Sequence, residues 1–151
     1  IKQFVGGSVE TAAWWVGVFG SVFALSQFLA SPLQGALSDR FGRRPVVLLS
    51  NLGLGLDFVL MALANTLPLL FLGRVLAGIT SASISTANAY IADITPADQR
   101  AGAFGLLGAA FGIGFVIGPA LGGVLGEIDV RLPFWVAAGL SLANFLYGFF
   151  V

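Results

Sequence analysis

The sequence predicts an all-α membrane protein, a polytopic helical bundle with five transmembrane helices. Three observations predict it. Hydrophobic residues fill 58% of the 151 positions and charged residues 9%, with a mean hydropathy of +0.97, whereas an average soluble domain is about 25% charged. The apolar stretches divide at the length that a bilayer core of ~30 Å demands, about 20 helical residues each. The breaks between them are short and hold turn and helix-start residues. A soluble fold of this composition would lack the polar surface to cover it.

The five spans run approximately over residues 11–37, 45–64, 68–91, 101–125 and 133–151. Their connections read "SDRFGRR", "NTL", "ADITPADQR" and "GEIDVRL". Pro45, Pro68 and Pro133 suit the first turn of a helix, where the missing N–H is not needed, and Thr95-Pro96 breaks the chain between two spans. The sequence opens on Ile1 and closes on "YGFFV" in mid-hydrophobic run, so both ends are expected to be cut from something longer, and no cleavable leader is visible.

Charge and composition exclude several function classes. Seven basic and seven acidic residues cancel, which leaves no basic footprint for nucleic acid. Without cysteine there is no thiol chemistry, and without cysteine or histidine most metal sites and the commonest general base are gone. No catalytic residue and no cofactor are expected, and the chain does not read as an enzyme.

An odd number of spans puts the termini on opposite sides. Arg40, Arg43, Arg44 and Arg100 crowd the first and third connections, against Lys2 and Arg131 on the other side, so the positive-inside rule makes loops 38–44 and 92–100 cytoplasmic. Topology alone does not require the order of residues in "GALSDRFGRRP". Gly35 and Gly42 flank a reversal that needs positive φ or close backbone approach. Asp39 stands at the end of the first span and Asp93 at the end of the third, on the same surface as Arg43. A charge cluster is expected there, with a solvated loop lacking specific pairs as the alternative.

At this point the residues carry a family resemblance. "GALSDRFGRRPVVL" resembles the signature between the second and third helices of the major facilitator superfamily, with Gly35, Leu37, Asp39, Arg40, Gly42, Arg43 and Arg44 on it. "LGRVLAGITSAS" resembles the fourth-helix signature, and "GIGFVIGPALGG" the fifth-helix signature of the antiporter branch, which includes Gly114, Gly118, Pro119, Gly122 and Gly123. Together with "GLDFVLMA" and "AYIADIT" they are similar to tetracycline-type drug:proton antiporters. The resemblance implies that the spans are helices two to six of a twelve-helix transporter, a partial N-terminal domain whose partners are the missing first helix and C-terminal half. It also implies a bacterial inner membrane.

Two ionisable residues, Asp57 and Arg74, fall inside spans, where a charge costs at least ~2.5–3.5 kcal/mol on insertion scales and marks a functional candidate. They lie nine and eight residues from Thr66 at the hairpin turn. At ~1.5 Å per residue both sit roughly 12–14 Å below the outer end, so they pair if both face inward. One reading is a static pair that fastens the hairpin. In the other, Asp57 titrates or contacts a cationic substrate or proton while Arg74 keeps the network charged; the resemblance implies proton or substrate coupling for both. Arg74, Gly78, Ser81 and Ser85 share a helical stripe that Asn88 extends, facing either a partner helix or a water-filled cavity. Gln27 and Asn88 join the candidate coupling residues, although core hydrogen bonding is the plainer role for Gln27, Gln34 and Asn51.

In the fourth span Gly114, Gly118, Gly122 and Gly126 recur every four residues, with Gly108 and Gly112 before them and Pro119 between. Such a ridge is expected to pack tightly, and Pro119 to bend the axis. The resemblance adds a seal that opens and shuts during alternating access. Trp14, Trp15, Trp135 and Tyr90 near span ends fit interfacial anchors, and Phe58 and Phe111 fit lipid or core contact better than substrate stacking.

The expectation is a secondary transporter that exports a small-molecule drug such as tetracycline against protons, with Gly35, Asp39, Arg40, Gly42, Arg43, Arg44 and Asp93 as a conformational latch. A facilitator or sugar porter of the same fold, or a non-transporting scaffold or sensor, are the competing readings.

Overall fold

The computed structural model describes residue 6, residues 8–81 and residues 83–150, without the side chains of residues 83–85. Lys2, the Ser85 side chain and Val151 therefore lie outside the described residues. Six helices follow in order: α1 Val9–Phe41, α2 Arg43–Leu63, α3 Leu67–Thr80, α4 Ser83–Ile94, α5 Arg100–Ile128 and α6 Leu132–Phe150. No strand occurs among the described residues. Helices α1, α2, α5 and α6 are each long and apolar enough to cross a bilayer. The third expected span is divided between α3 and α4.

The first connection differs from expectation. Helix α1 starts on an N-cap, Ser8, whose hydroxyl accepts from the Thr11 N–H at 3.3 Å, and it continues through Ser38, Asp39, Arg40 and Phe41. No helix breaker stands between Leu37 and Gly42, so helical hydrogen bonding carries on past Leu37. Gly42 alone makes the reversal, at φ 94° and ψ 158°, a region that is essentially restricted to glycine. Gly35 instead lies inside α1, and a Cβ there would meet nothing within 4 Å. The pairing of Gly35 with Gly42 at the turn is thus corrected, and nothing in the structure explains Gly35.

The break at Ser81 has a local cause. The Thr80 hydroxyl donates to the Leu76 and Ala77 carbonyls, at 2.9 and 3.4 Å, and the Ser81 hydroxyl donates to the Gly78 carbonyl at 3.3 Å. Such side-chain bonds compete with the backbone ladder and bend or end helices. Irregular backbone at membrane depth persists only where protein satisfies it. Here two glutamines of α1 do so: Gln34 donates to the Ile79 carbonyl, and Gln27 to the Ser81 carbonyl at 3.3 Å.

Packing is most extensive between α2 and α6 and between α1 and α3, with α2 also against α3 and α4. The buried apolar set is small: Phe19, Ala62, Ala64, Leu70, Ala77 and Ala138. Ser38, Ser50, Asp57 and Thr86 are buried among them, while Phe28, Leu106, Phe115 and Phe150 are well exposed. That distribution suits lipid, where leucine gains nothing by leaving the solvent and small residues let backbones approach. A Cβ on Gly78 would lie 2.5 Å from Ser26 Cβ and 2.7 Å from the Phe23 carbonyl oxygen; one on Gly55 would lie 2.7 Å from Leu142. These glycines, not the ridge of α5, set the close crossings.

Three outcomes follow for the stability of a membrane protein that carries this segment. Gly78→Ala should destabilise it by roughly 1–3 kcal/mol, because the obstacle includes backbone that cannot turn aside. Gly139→Ala, where a Cβ meets nothing, should be neutral or slightly stabilising; thermal unfolding midpoints in detergent check both. Gly42→Ala should cost about 1–3 kcal/mol through the strained φ alone, read by the same measurement.

Candidate functional site

The α2–α3 hairpin brings the two intramembrane ions together. Asp57 sits two turns before the end of α2 and Arg74 two turns into α3, and the extended residues Ala64 and Thr66 reverse the chain between them. Arg74 Nη2 donates to Asp57 Oδ2 at 2.6 Å; the Asp57 side chain is 1% exposed and that of Arg74 25%. Room for the carboxylate comes from Gly73, where a Cβ would stand 2.9 Å from Asp57 Oδ1. Sequence reasoning missed that requirement, although a glycine directly before the membrane arginine was a usable signal.

The pair is incompletely satisfied. Asp57 Oδ1 and Arg74 Nε are both buried without a hydrogen-bond partner among the described residues. A buried ion pair offsets its desolvation only when the remaining lone pairs and protons are also engaged. Arg74 borders a cavity of about 300 Å³ whose other walls are Val16, Phe19, Gly20 and Phe23 of α1, Met61 of α2 and Leu70 of α3. One charged group on an otherwise apolar wall is the usual pattern of a small-molecule pocket.

Gln27 and Asn88 do not join this pair. Gln27 caps the Ser81 carbonyl, and Asn88 lies on α4 beyond the interruption, half-buried, with no hydrogen bond to Asp57, Arg74 or Gln27. The stripe from Arg74 to Asn88 assumed one continuous helix; the break at Ser81 ends its register. The Ser85 side chain is outside the described residues.

A second cluster forms where α1 turns into α2. Arg43 Nη1 lies 2.9 Å from Asp39 Oδ1, and Arg43 Nε donates to Asp93 Oδ2 at 3.0 Å. Its Nη1 also reaches the hydroxyl of Ser38, which is buried, at 3.3 Å. One guanidinium thus joins the end of α1, the start of α2 and the end of α4. Ser38 escaped the sequence reading because a serine near a helix end carries no distinctive spacing. Arg40 lies over the Phe41 ring at 5.4 Å. Arg44 turns to α6, where its Nε and Nη2 donate to the Gly148 carbonyl at 3.3 and 3.0 Å. Of the expected latch residues, Asp39, Arg43 and Asp93 come together, whereas Arg40, Arg44 and Gly35 do not contact that centre.

Helix α5 is the least engaged element and has no buried residue. A Cβ on Gly114, Gly118, Gly122 or Gly123, around Pro119, would meet nothing within 4 Å. The expected tight packing of this ridge is therefore absent within the described residues, since neither α4 nor α6 lies against that face. On the opposite side of the bundle from the arginine cluster, Arg131 Nη2 donates to Asn65 Oδ1 at 2.5 Å and links two connections. No group of three metal-ligating side chains occurs among the described residues.

Comparison with known proteins agrees with this architecture. The family profile described as Major Facilitator Superfamily matches residues 1–151. The chain is 52% identical to the class C tetracycline resistance protein of Escherichia coli over 142 residues, covering 94% of this chain and 36% of that protein. It is 46% identical to the class B protein of Escherichia coli, covering 97% and 36%, and 40% identical to multidrug resistance protein 1 of Bacillus subtilis, covering 84% and 33%. Among solved structures, the human organic anion transporter MFSD10 (TETRAN) superposes with a TM-score of 0.79 at 33% identity, covering 88% of this chain and 30% of that one. The chain thus spans about a third of the length of the relatives it matches, and it belongs to the Major Facilitator Superfamily, a family of multi-pass membrane transporters and not of enzymes.

Proposed function

We propose that this chain is part of a proton-coupled exporter of a small-molecule drug such as tetracycline, working by alternating access in a bacterial inner membrane. The observation that carries the reading is the buried, half-satisfied Asp57–Arg74 pair at the edge of an apolar cavity. A fastener would be better built from apolar side chains of the same volume. A group that must gain and lose a proton, or release a partner when cargo arrives, needs this arrangement. The names of the tetracycline and multidrug resistance relatives support the substrate class.

The chain's own residues suggest the steps. A proton bound at Asp57 neutralises the carboxylate, weakens its hold on Arg74 and frees the guanidinium toward the cavity; loss of the proton restores the pair. Arg43, held by Asp39 and Asp93, ties the α1–α2 reversal to the end of α4 in one conformation and lets go in the other. With loops 38–44 and 92–100 cytoplasmic, this cluster closes the inner side while the outer side is open. The glycine face of α5 meets the remainder of the transporter and seals the path.

Asp57→Asn in the full-length transporter should lower proton-driven tetracycline uptake into everted vesicles by at least about tenfold with unchanged protein in the membrane, as expected when a single intramembrane titratable group is removed. Uptake that persists at the wild-type rate overturns the coupling role. For the arginine cluster, Arg43→Asp and Asp93→Arg should each reduce efflux, and the double exchange should restore part of it. Efflux measured for all three variants decides between a specific pair and a solvated loop.

A further inference from the structure

A groove of about 340 Å³ lies between α2, α4 and α6 at the end of the bundle that holds the arginine cluster, and the transport reading uses none of it. Its wall carries Arg44, Asn51, Tyr90, Asn144 and Tyr147 over an apolar floor that includes Leu48. We propose that this groove binds an anionic phospholipid, with the headgroup phosphate at Arg44 and an acyl chain along the floor. The site needs only a multi-pass membrane protein; the leaflet is the cytoplasmic one under the orientation proposed above.

Charge selects the ligand. The neighbouring Arg43 is neutralised by two carboxylates, but Arg44 has a backbone carbonyl as its partner, and no acid lines the groove. That carbonyl, Gly148, engages Nε and Nη2 and fixes the guanidinium plane, leaving Nη1 uncommitted among the described residues. A guanidinium with free, oriented donors matches a phosphate diester. The Asn51 and Asn144 amides and the Tyr147 hydroxyl have no hydrogen-bond partner among the described residues, so further donors stand ready for glycerol and headgroup oxygens. The first turn of α2 begins on Gly42 without a side-chain cap and holds no acid, which adds positive potential beside Arg44.

The surroundings argue for an amphiphile over a free anion. Phe149 and Phe150, which follow the groove residue Gly148 at the end of α6, are exposed, a surface that only hydrocarbon solvates well. Its occupant therefore has an acyl chain to lay there as well as a phosphate. The lack of any carboxylate in the lining gives a choline or ethanolamine head no counter-charge, so phosphatidylglycerol is favoured over a zwitterionic lipid. Basic pockets between membrane helices near the headgroup level recognise anionic lipids by this chemistry.

The test uses the full-length transporter in nanodiscs of equimolar phosphatidylglycerol and phosphatidylcholine, with retained lipid counted by native mass spectrometry. Wild type should keep phosphatidylglycerol over phosphatidylcholine by at least about fivefold, and Arg44→Gln should bring the ratio near parity. Asn144→Trp, which fills the groove but leaves Arg44 and its carbonyl bond in place, should also abolish the preference, and it decides the matter if Arg44→Gln does not fold. Equal retention of both lipids by wild type, or an undiminished preference in either folded variant, overturns the proposal. So does a thermal shift with excess inorganic phosphate equal to that with phosphatidylglycerol. No transport is measured, so loss of proton-coupled export as a reading leaves this result standing.

Discussion

In hydrocarbon, apolar side chains gain nothing by meeting one another, and every other feature of this bundle follows from that constraint. The association of its helices rests on two things that lipid cannot supply. One is close backbone approach, at Gly78 against Ser26 and Phe23 and at Gly55 against Leu142. The other is polar pairing across helices: Asp57 with Arg74, Arg43 with Asp39 and Asp93, and the α1 glutamines with the carbonyls of the broken third crossing. Burial therefore differs from that of a soluble protein, with Ser38, Ser50, Asp57 and Thr86 inside beside a small apolar set and most large aromatic side chains, Phe19 excepted, outside.

The same constraint joins stability to chemistry at the α2–α3 hairpin. Gly73 admits the Asp57 carboxylate, the carboxylate holds Arg74, and Arg74 borders the cavity. Each link is a packing fact, yet the product is a charged pair with unused hydrogen-bonding capacity on both partners. Low dielectric makes such a pair sensitive to any group that enters beside it. Under the proposed function, that sensitivity is what a coupling site requires.

Much of this was legible in the sequence because membrane helices obey a length rule and a charge rule. Hydropathy delimits α1, α2, α5 and α6 to within a few residues, and nearly equal distances from Thr66 are enough to place Asp57 and Arg74 at one depth. Other features were not legible, for physical reasons. The division at Ser81 depends on hydroxyls competing for carbonyls and on Gln27 and Gln34 arriving from another helix, which no local pattern announces. The glycine ridge of α5 is the most regular small-residue repeat in the chain, yet it packs against nothing described, while isolated Gly55, Gly73 and Gly78 make the tight contacts. Regular spacing reports a face; it does not report what meets that face. Arg40, Arg43 and Arg44 look equivalent in sequence, but about 100° of helical rotation per residue sends neighbours to different partners.

Gly42, the one residue between α1 and α2, has a further consequence. With no slack between two rigid rods, inserting or deleting a single residue there would rotate all of α2 by about 100° relative to α1. The ion in mid-bilayer and the guanidinium at the surface share that rod, so both would leave their partners at once. Length at this corner is therefore constrained as tightly as the identity of Gly42 and Arg43, and a library that samples linker length here would recover only the original spacing.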